Sequence, residues 1–365
     1  DWSCSLGDGR PVPAIISANQ PTAAIGVTLK LAMFSKPHKA ARDGGFLRGL
    51  VLVSHVLLSI EYTSWTSTGS DTPALQNPPA AYTPPAPGLR TDNTLSVSGT
   101  TRYFDYYVPP ALPENAPVLI LLHGGTQNKN RVLDGTSGST GWLSVAESEA
   151  VLLVVPNGTG ADGDPNAVSA RWNDCRSDQV SGSSADDVAF IAALIDWAVN
   201  EPSFVIDETR VYVAGASNGG MMSYRAALEI GDRIAGIAAF IANNPVNLDP
   251  SCEAAVNDAN PAPVSVFICN GTADLLMPFN GGTVALGSGG EVTSSLETRD
   301  FWRARNSTTR SLLPVVYPDI DPTDNSTVVG ADYVGGTGGA AVSWLTVFAG
   351  GHTMPSLVFF STSAQ

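Results

Sequence analysis

Residues 211–222 read Val-Tyr-Val-Ala-Gly-Ala-Ser-Asn-Gly-Gly-Met-Met, and the expected fold class follows from them. The run Arg210–Ala214 is typical of a buried strand, and the run Gly219–Ile230 that follows it favours a helix. Between the two lies a Gly-x-Ser-x-Gly motif centred on Ser217. A serine held on a sharp strand-to-helix turn needs glycine neighbours, because side chains two residues away would collide there. The stretch therefore predicts a nucleophile elbow, with Ser217 as the candidate nucleophile.

Four further apolar runs have the character of short strands, and they cover Ala116–Leu122, Val151–Val155, Val264–Cys269 and Ala341–Ala349. Strands of this kind are buried on both faces, as in a parallel sheet that is covered by helices. Helical patterns occupy Asp186–Val199 and Glu291–Arg305, and residues 94–108 predict two strands around a turn at Gly99. This alternation predicts an α/β fold with a mainly parallel central sheet, in which ligands bind beyond the carboxyl ends of the strands.

A serine nucleophile needs a base and an acid, in the chain order Ser, Asp or Glu, His for this type of elbow. His352 is the only histidine after Ser217, and it follows the last predicted strand. Asp274 follows the strand run Val264–Cys269 and is expected to orient the imidazole of His352. Three weaker acid candidates remain open, namely Asp258, Asp300 and Asp319.

Two backbone N–H groups are expected to bind the oxyanion that forms when the serine attacks. One is the N–H of Asn218, the residue after the nucleophile. The other comes from the loop His-Gly-Gly-Thr-Gln-Asn at 123–128, where either Gly125 or Thr126 can supply it. His123 is expected to be structural and to form hydrogen bonds beneath this loop.

The composition excludes several classes of protein. The chain of 365 residues carries 34 acidic against 19 basic side chains, a net charge of −15, which argues against a nucleic-acid binder. No apolar run reaches the roughly 18 residues that a membrane span requires. Four histidines without an H-E-x-x-H motif, and cysteines without C-x-x-C spacing, predict no metal site.

The N-terminal part of the chain is expected to lie outside the working domain. Residues 1–61 form an atypical region, in which 33–60 have the basic-then-apolar layout of a secretory signal peptide. A buried element of a small N-terminal domain is the alternative. Residues 62–90 contain six prolines and predict an extended linker. The catalytic domain is then expected to span 91–365, with a truncated C-terminus, in a secreted or periplasmic protein.

Six segments together resemble the secreted polyhydroxybutyrate depolymerases and feruloyl esterases, a group that includes LpqC-like esterases and carbohydrate esterase family one. They occur in family order at 121–128, 171–176, 186–191, 211–222, 270–274 and 350–355. The resemblance implies an α/β-hydrolase fold and a serine carboxylic-ester hydrolase with the triad Ser217, Asp274 and His352 and no cofactor. The implied substrates are polyhydroxyalkanoate, feruloylated or acetylated polysaccharide, or aromatic polyester.

The same resemblance implies roles for three more residues. Trp172 is expected to bind substrate at the rim of the active site, with a core position as its alternative, and Cys175 and Cys252 are expected to form a disulfide. The apolar setting of Cys269 predicts a buried free thiol. Two other functions remain open for the whole chain: a peptidase of the same fold, and a non-catalytic extracellular binding protein on the same scaffold. The sequence predicts no oligomeric state.

Overall fold

The computed structural model describes residues 82–133, 141–179, 182–287, 289–319 and 322–353. The signal-like segment 33–60, and the linker 62–90 except for its last nine residues, therefore lie outside the described residues. Among the described residues, no helix is long and apolar enough to cross a membrane.

The described residues form thirteen strands and six α-helices. The strands are β1 (Gly88–Val97), β2 (Thr100–Val108), β3 (Ala116–Leu122), β4 (Leu152–Pro156), β5 (Ile206–Ala216), β6 (Gly236–Phe240), β7 (Ser265–Gly271), β8 (Gly282–Thr283), β9 (Glu291–Val292), β10 (Arg310–Ser311), β11 (Val315–Val316), β12 (Thr327–Val334) and β13 (Val342–Phe348). The helices are α1 (Lys129–Leu133), α2 (Gly141–Ser148), α3 (Asp187–Asn200), α4 (Asn218–Glu229), α5 (Pro250–Val256) and α6 (Ser295–Arg305).

Eleven of these strands form one sheet, in the order β1-β2-β4-β3-β5-β6-β7-β13-β12-β10, with β11 paired to β12. The six central strands from β4 to β13 pair in parallel, and antiparallel strands flank them on both sides. The carboxyl ends of the parallel strands therefore meet at one edge of the sheet. The turns after β3, β5, β7 and β13 all leave from that edge, which is where the α/β pattern predicts the ligand site.

Both faces of the central strands are buried, as the sequence predicts. Along β3, Leu119 and Leu121 pack into one apolar cluster with Trp142 of α2, while Val118 and Ile120 pack into the other with residues of α3 and α4. A side chain alternates from one face of a strand to the other, so a strand covered on both sides must be apolar at every position. This double burial gives the turns at the carboxyl edge a rigid base.

The five apolar runs predicted as strands are confirmed as β3, β4, β5, β7 and β13. The strand β6 has no predicted counterpart, because its sequence Gly-Ile-Ala-Ala-Phe is short, rich in alanine and without strand periodicity. The predicted helix Glu291–Arg305 is too long at its start: Glu291–Val292 form β9, and α6 begins after a capping box between Ser294 and Glu297. The first strand begins at Gly88, inside the segment predicted as linker.

Candidate active site

Ser217 lies on the turn between β5 and α4. Its backbone has φ 54° and ψ −121°, a conformation that residues with a side chain rarely adopt, and its N–H donates to the carbonyl of Phe240 at 2.9 Å. A Cβ atom on Gly215 would overlap the backbone of Gly219. A Cβ atom on Gly219 would overlap the carbonyl oxygen of His123. The sharp turn therefore requires glycine at both of these positions, as the motif predicts.

Ser217, His352 and Asp274 meet at the carboxyl edge of the sheet. The Nε2 atom of His352 lies 3.0 Å from the Oγ of Ser217, and its Nδ1 lies 2.7 Å from the Oδ2 of Asp274. The other oxygen of Asp274 accepts the N–H groups of Leu276 and Met277, both at 2.8 Å. These two bonds hold the carboxylate in place, so that it can fix the imidazole with its Nε2 directed at the serine.

Asp274 is the carboxylate that His352 contacts in the described part of the chain. The alternative acids lie elsewhere. Asp300 forms ion pairs with Arg299 and Arg303 on α6, and Asp258 accepts the N–H of Asn260 in an exposed loop. Asp319 follows the short edge strand β11 and does not line the cleft around Ser217. The distances therefore favour Asp274 among the four candidate acids.

The candidate oxyanion donors lie beside Ser217. A Cβ atom built on Gly125 would lie 3.4 Å from the Cβ of Asn218, so the loop after β3 packs directly against the start of α4. The N–H of Gly124 already donates to the side chain of Gln127 at 3.2 Å. Within the described residues, no acceptor is found for the N–H groups of Gly125, Thr126 or Asn218. These three N–H groups remain candidates to bind an oxyanion.

His123 lies beneath this loop and is buried. Its Nε2 accepts the N–H of Gly158 at 2.9 Å, and its Nδ1 donates to the carbonyl of Gly124 at 2.8 Å. Burial lowers the pKa of His123 to about 4, so that the ring is neutral at physiological pH. This arrangement agrees with the structural role predicted for His123, since neither ring nitrogen is available as a base.

Trp172 is not a rim residue, and the implied substrate contact is wrong. Its side chain is fully buried, its indole N–H donates to the carbonyl of His123 at 2.9 Å, and its ring lies 4.8 Å from the His123 ring. The segment 171–176 passes beneath the loop after β3, and the indole fills the space between them. Trp172 therefore supports the candidate oxyanion loop from below.

The contacts of Asp174 and of the Asn218 side chain are not predicted from the sequence. Asp174 is fully buried and accepts the amide N–H of Asn218 at 2.5 Å. It also forms an ion pair with Arg176, whose Nη2 lies 2.6 Å from Oδ2. The available signals were Asp174 between two arginines in the run Arg-Trp-Asn-Asp-Cys-Arg and, elsewhere in the chain, an asparagine directly after the nucleophile.

Ser217 opens into a cleft of about 610 Å³, which falls in the size range of small-molecule sites. Its lining includes the apolar side chains of Leu121, Val132, Trp142 and Ile241. It also includes the polar or charged side chains of Gln127, Arg171, Arg176 and Gln179. A cleft of this kind can bind a substrate that has both an apolar and a polar portion.

The cysteines behave as the sequence analysis expects. Cys175 and Cys252 form a disulfide with their Cα atoms 5.7 Å apart, and Cys269 is a buried free thiol. Burial raises the pKa of the Cys269 thiol to about 12, so it is inert at neutral pH. Glu229 approaches both disulfide sulfurs, but sulfurs that are bonded to each other cannot act as thiolate metal ligands.

No protein-family model matches the chain. The chain is 30% identical over 297 residues to NocK of Nocardia uniformis subsp. tsuyamanensis, which is assigned as an esterase, and the match covers 77% of this chain and 78% of NocK. It also resembles the solved acetyl xylan esterase from Aspergillus awamori, with a TM-score of 0.50, 14% identity and coverage of 76% of this chain and 100% of that one.

Two further relatives match over shorter stretches. The bifunctional acetylxylan esterase/xylanase XynS20E of Neocallimastix patriciarum is 31% identical over 177 residues, which are 48% of this chain and 22% of that protein. The poly(3-hydroxybutyrate) depolymerase of Ralstonia pickettii is 32% identical over 148 residues, which are 39% and 29% of the two chains. With the extent of the NocK match and the shared fold, these relatives place the chain in a family. It is a carboxylic-ester hydrolase of the α/β-hydrolase fold, in the esterase family to which NocK belongs.

Proposed function

We propose that the protein is an extracellular serine esterase that uses Ser217, His352 and Asp274 as a catalytic triad and passes through an acyl-enzyme. One observation carries this proposal: His352 bridges the serine and the aspartate through its two nitrogens, at 3.0 Å and 2.7 Å. A serine hydroxyl is a weak nucleophile until a neighbouring base accepts its proton. An imidazole held by a carboxylate is such a base.

In the first half of the reaction, the Oγ of Ser217 attacks the ester carbonyl while the Nε2 of His352 accepts the hydroxyl proton. The carbonyl oxygen becomes an oxyanion, and the N–H of Asn218 together with that of Gly125 or Thr126 stabilises it. Each such donor contributes on the order of 10²–10³-fold to kcat. The tetrahedral intermediate then expels the alcohol, which takes the proton from His352, and the acyl group remains on Ser217.

In the second half, His352 removes a proton from water, which attacks the acyl carbonyl. The new tetrahedral intermediate breaks its bond to Ser217, and the serine regains a proton from His352. The acid product leaves, and the free enzyme is restored. The Asp274 carboxylate stabilises the imidazolium in both halves.

The proposed substrates are extracellular esters, either acetylated or feruloylated polysaccharide or a polyhydroxyalkanoate. Apolar lining residues such as Trp142 and Ile241 suit apolar portions of such a substrate, and polar ones such as Gln127 and Gln179 suit its polar groups. The names of two relatives, an acetylxylan esterase/xylanase and a poly(3-hydroxybutyrate) depolymerase, support acetylated polysaccharide and polyhydroxyalkanoate as substrates. The signal-like segment 33–60 and the disulfide favour an oxidising compartment outside the cytosol.

The test is hydrolysis of p-nitrophenyl acetate and butyrate by the wild type, Ser217→Ala and His352→Gln. We expect turnover by the wild type and background rates for both variants. In the wild type, rapid acid quench should trap an acetyl adduct on the peptide that contains Ser217. Circular dichroism establishes that each variant is folded. A folded Ser217→Ala protein with wild-type activity would refute the proposal. Acetylated xylan, methyl ferulate and polyhydroxybutyrate then rank the substrates.

A further inference from the structure

Within the described residues, the hydrogen bonds of the Asn218 side chain all go to one short segment of the chain. Its Oδ1 accepts the N–H of Trp172 at 2.7 Å, and its Nδ2 donates to the carbonyl of Trp172 at 2.9 Å and to the Oδ2 of Asp174 at 2.5 Å. Asn218 and Asp174 are both buried, so water does not compete for these bonds. The residue that follows the nucleophile is thereby clamped to a segment 46 residues away in sequence.

The carboxylate of Asp174 sets the direction of this clamp. An ionised carboxylate only accepts hydrogen bonds, whereas a side-chain amide both donates and accepts. The Nδ2 of Asn218 must therefore face Asp174, which leaves its Oδ1 to accept from Trp172. Arg176 keeps the buried charge paired, with its Nε 3.0 Å from Oδ1 and its Nη2 2.6 Å from Oδ2. The amide thus has a single orientation in which every group is satisfied.

The clamp also reaches the second side of the candidate oxyanion hole. The indole of Trp172 donates to the carbonyl of His123, the residue that precedes Gly124 and Gly125. Gly125 in turn packs against the Cβ of Asn218. Both sides of the candidate oxyanion hole therefore depend on Trp172, and Asp174 fixes the orientation of the Asn218 side chain against it.

We propose that Asp174 is a positioning residue of the oxyanion hole, which acts through the side chain of Asn218 to hold its backbone N–H in line with the Ser217 oxyanion. This inference rests on the proposed esterase function. Asp174 does not line the cleft, so it does not touch substrate. Its effect falls on the tetrahedral intermediate, in which the oxyanion exists, and leaves ground-state binding almost unchanged.

The test compares kcat and KM for p-nitrophenyl acetate in Asp174→Ala, Asn218→Ala and the double variant. We expect each single change to lower kcat by roughly 10- to 100-fold, because a donor displaced by a fraction of an ångström loses much of its stabilisation. We expect KM to stay within about threefold and the affinity for a tetrahedral boronic acid inhibitor to fall in parallel with kcat. The kcat of the double variant should lie within about twofold of that of Asn218→Ala, since the two residues act as one unit.

Two variants separate positioning from a general loss of structure. Asp174→Asn keeps an oxygen that can accept from Asn218, so it should retain more kcat than Asp174→Ala. Asn173→Ala is the matched control, because that side chain donates to the carbonyl of Ala185 at 3.1 Å and accepts from Arg225 at 2.8 Å, on the same segment and without contact to Asn218. It should lower the melting temperature while kcat stays within about twofold.

Two results would overturn the inference while leaving the esterase function intact. One is that the losses in kcat of Asp174→Ala and Asn218→Ala multiply in the double variant, which would show independent roles. The other is that Asn173→Ala lowers kcat as much as Asp174→Ala does. A wild type that hydrolyses no ester would refute the proposed function itself, and this inference with it.

Discussion

Gly219→Ala tests the steric argument for the elbow, because two physical effects predict opposite changes in the free energy of unfolding. Gly219 lies in the first turn of α4, where helix propensity alone makes alanine more stable by about 1 kcal/mol. The added Cβ would however overlap the carbonyl oxygen of His123 and lie 2.6 Å from that of Leu122. An ordinary contact begins near 3.4 Å, so the second carbonyl must retreat by about 0.8 Å. Overpacking of this kind costs about 1–3 kcal/mol, and we expect this cost to exceed the gain in helix propensity.

The displaced carbonyls belong to the end of β3 and to the loop that carries Gly125. We therefore expect Gly219→Ala to lower the free energy of unfolding in urea, and to lower kcat for p-nitrophenyl acetate by about 10²-fold. Gly351→Ala is the matched control, since its Cβ would meet nothing within 4 Å although it precedes His352. It should change kcat by no more than about twofold. Unchanged stability and kcat in Gly219→Ala would refute the steric argument.

Three further predictions concern stability and thiol chemistry. The pKa of His123 is about 6.5 in the unfolded chain, and burial lowers it to about 4 in the folded protein, so the unfolded state binds the proton first as the pH falls. The free energy of unfolding in urea is therefore expected to fall for the wild type relative to His123→Gln, by up to about 3 kcal/mol between pH 7 and 4. An unchanged difference between the two proteins would contradict the buried neutral ring. Replacing Cys175 and Cys252 by serine opens a loop of 77 residues and should cost about 4 kcal/mol in the same assay, whereas an identical urea midpoint would exclude this entropic role. Cys269 should resist iodoacetamide at pH 8 until urea is added, as peptide mapping would show, and labelling of the native protein would disprove its burial.

The parts of the site that the sequence predicts are those fixed by local geometry or by chain order. The elbow is predictable from sequence because no residue but glycine fits at 215 and 219. The positions of Asp274 and His352 follow from their places after apolar strands whose carboxyl ends share one edge. The five apolar strands are likewise predictable, because burial on both faces leaves a continuous apolar run.

The remaining features depend on contacts between distant segments. The family resemblance predicts Trp172 at the rim, but its position is set by a contact with His123, which lies 49 residues earlier. Asp174 acquires its significance only when its segment meets Asn218, a contact that no local pattern encodes. The strand β6 is missed because Gly-Ile-Ala-Ala-Phe suits a helix as well as a strand, and only pairing with β5 and β7 makes it a strand.

The disulfide between Cys175 and Cys252 determines what a single cleavage of the backbone would do to the site. It closes a covalent ring that contains β5, Ser217, α4 and β6, while Asp274 and His352 lie on the chain beyond the ring. A single cleavage of the backbone anywhere inside the ring leaves both fragments joined through sulfur. The nucleophile and the histidine would then remain parts of one molecule after such a nick. A cleavage between Cys252 and His352 has no such protection, and only non-covalent packing of the sheet would keep the histidine beside the serine.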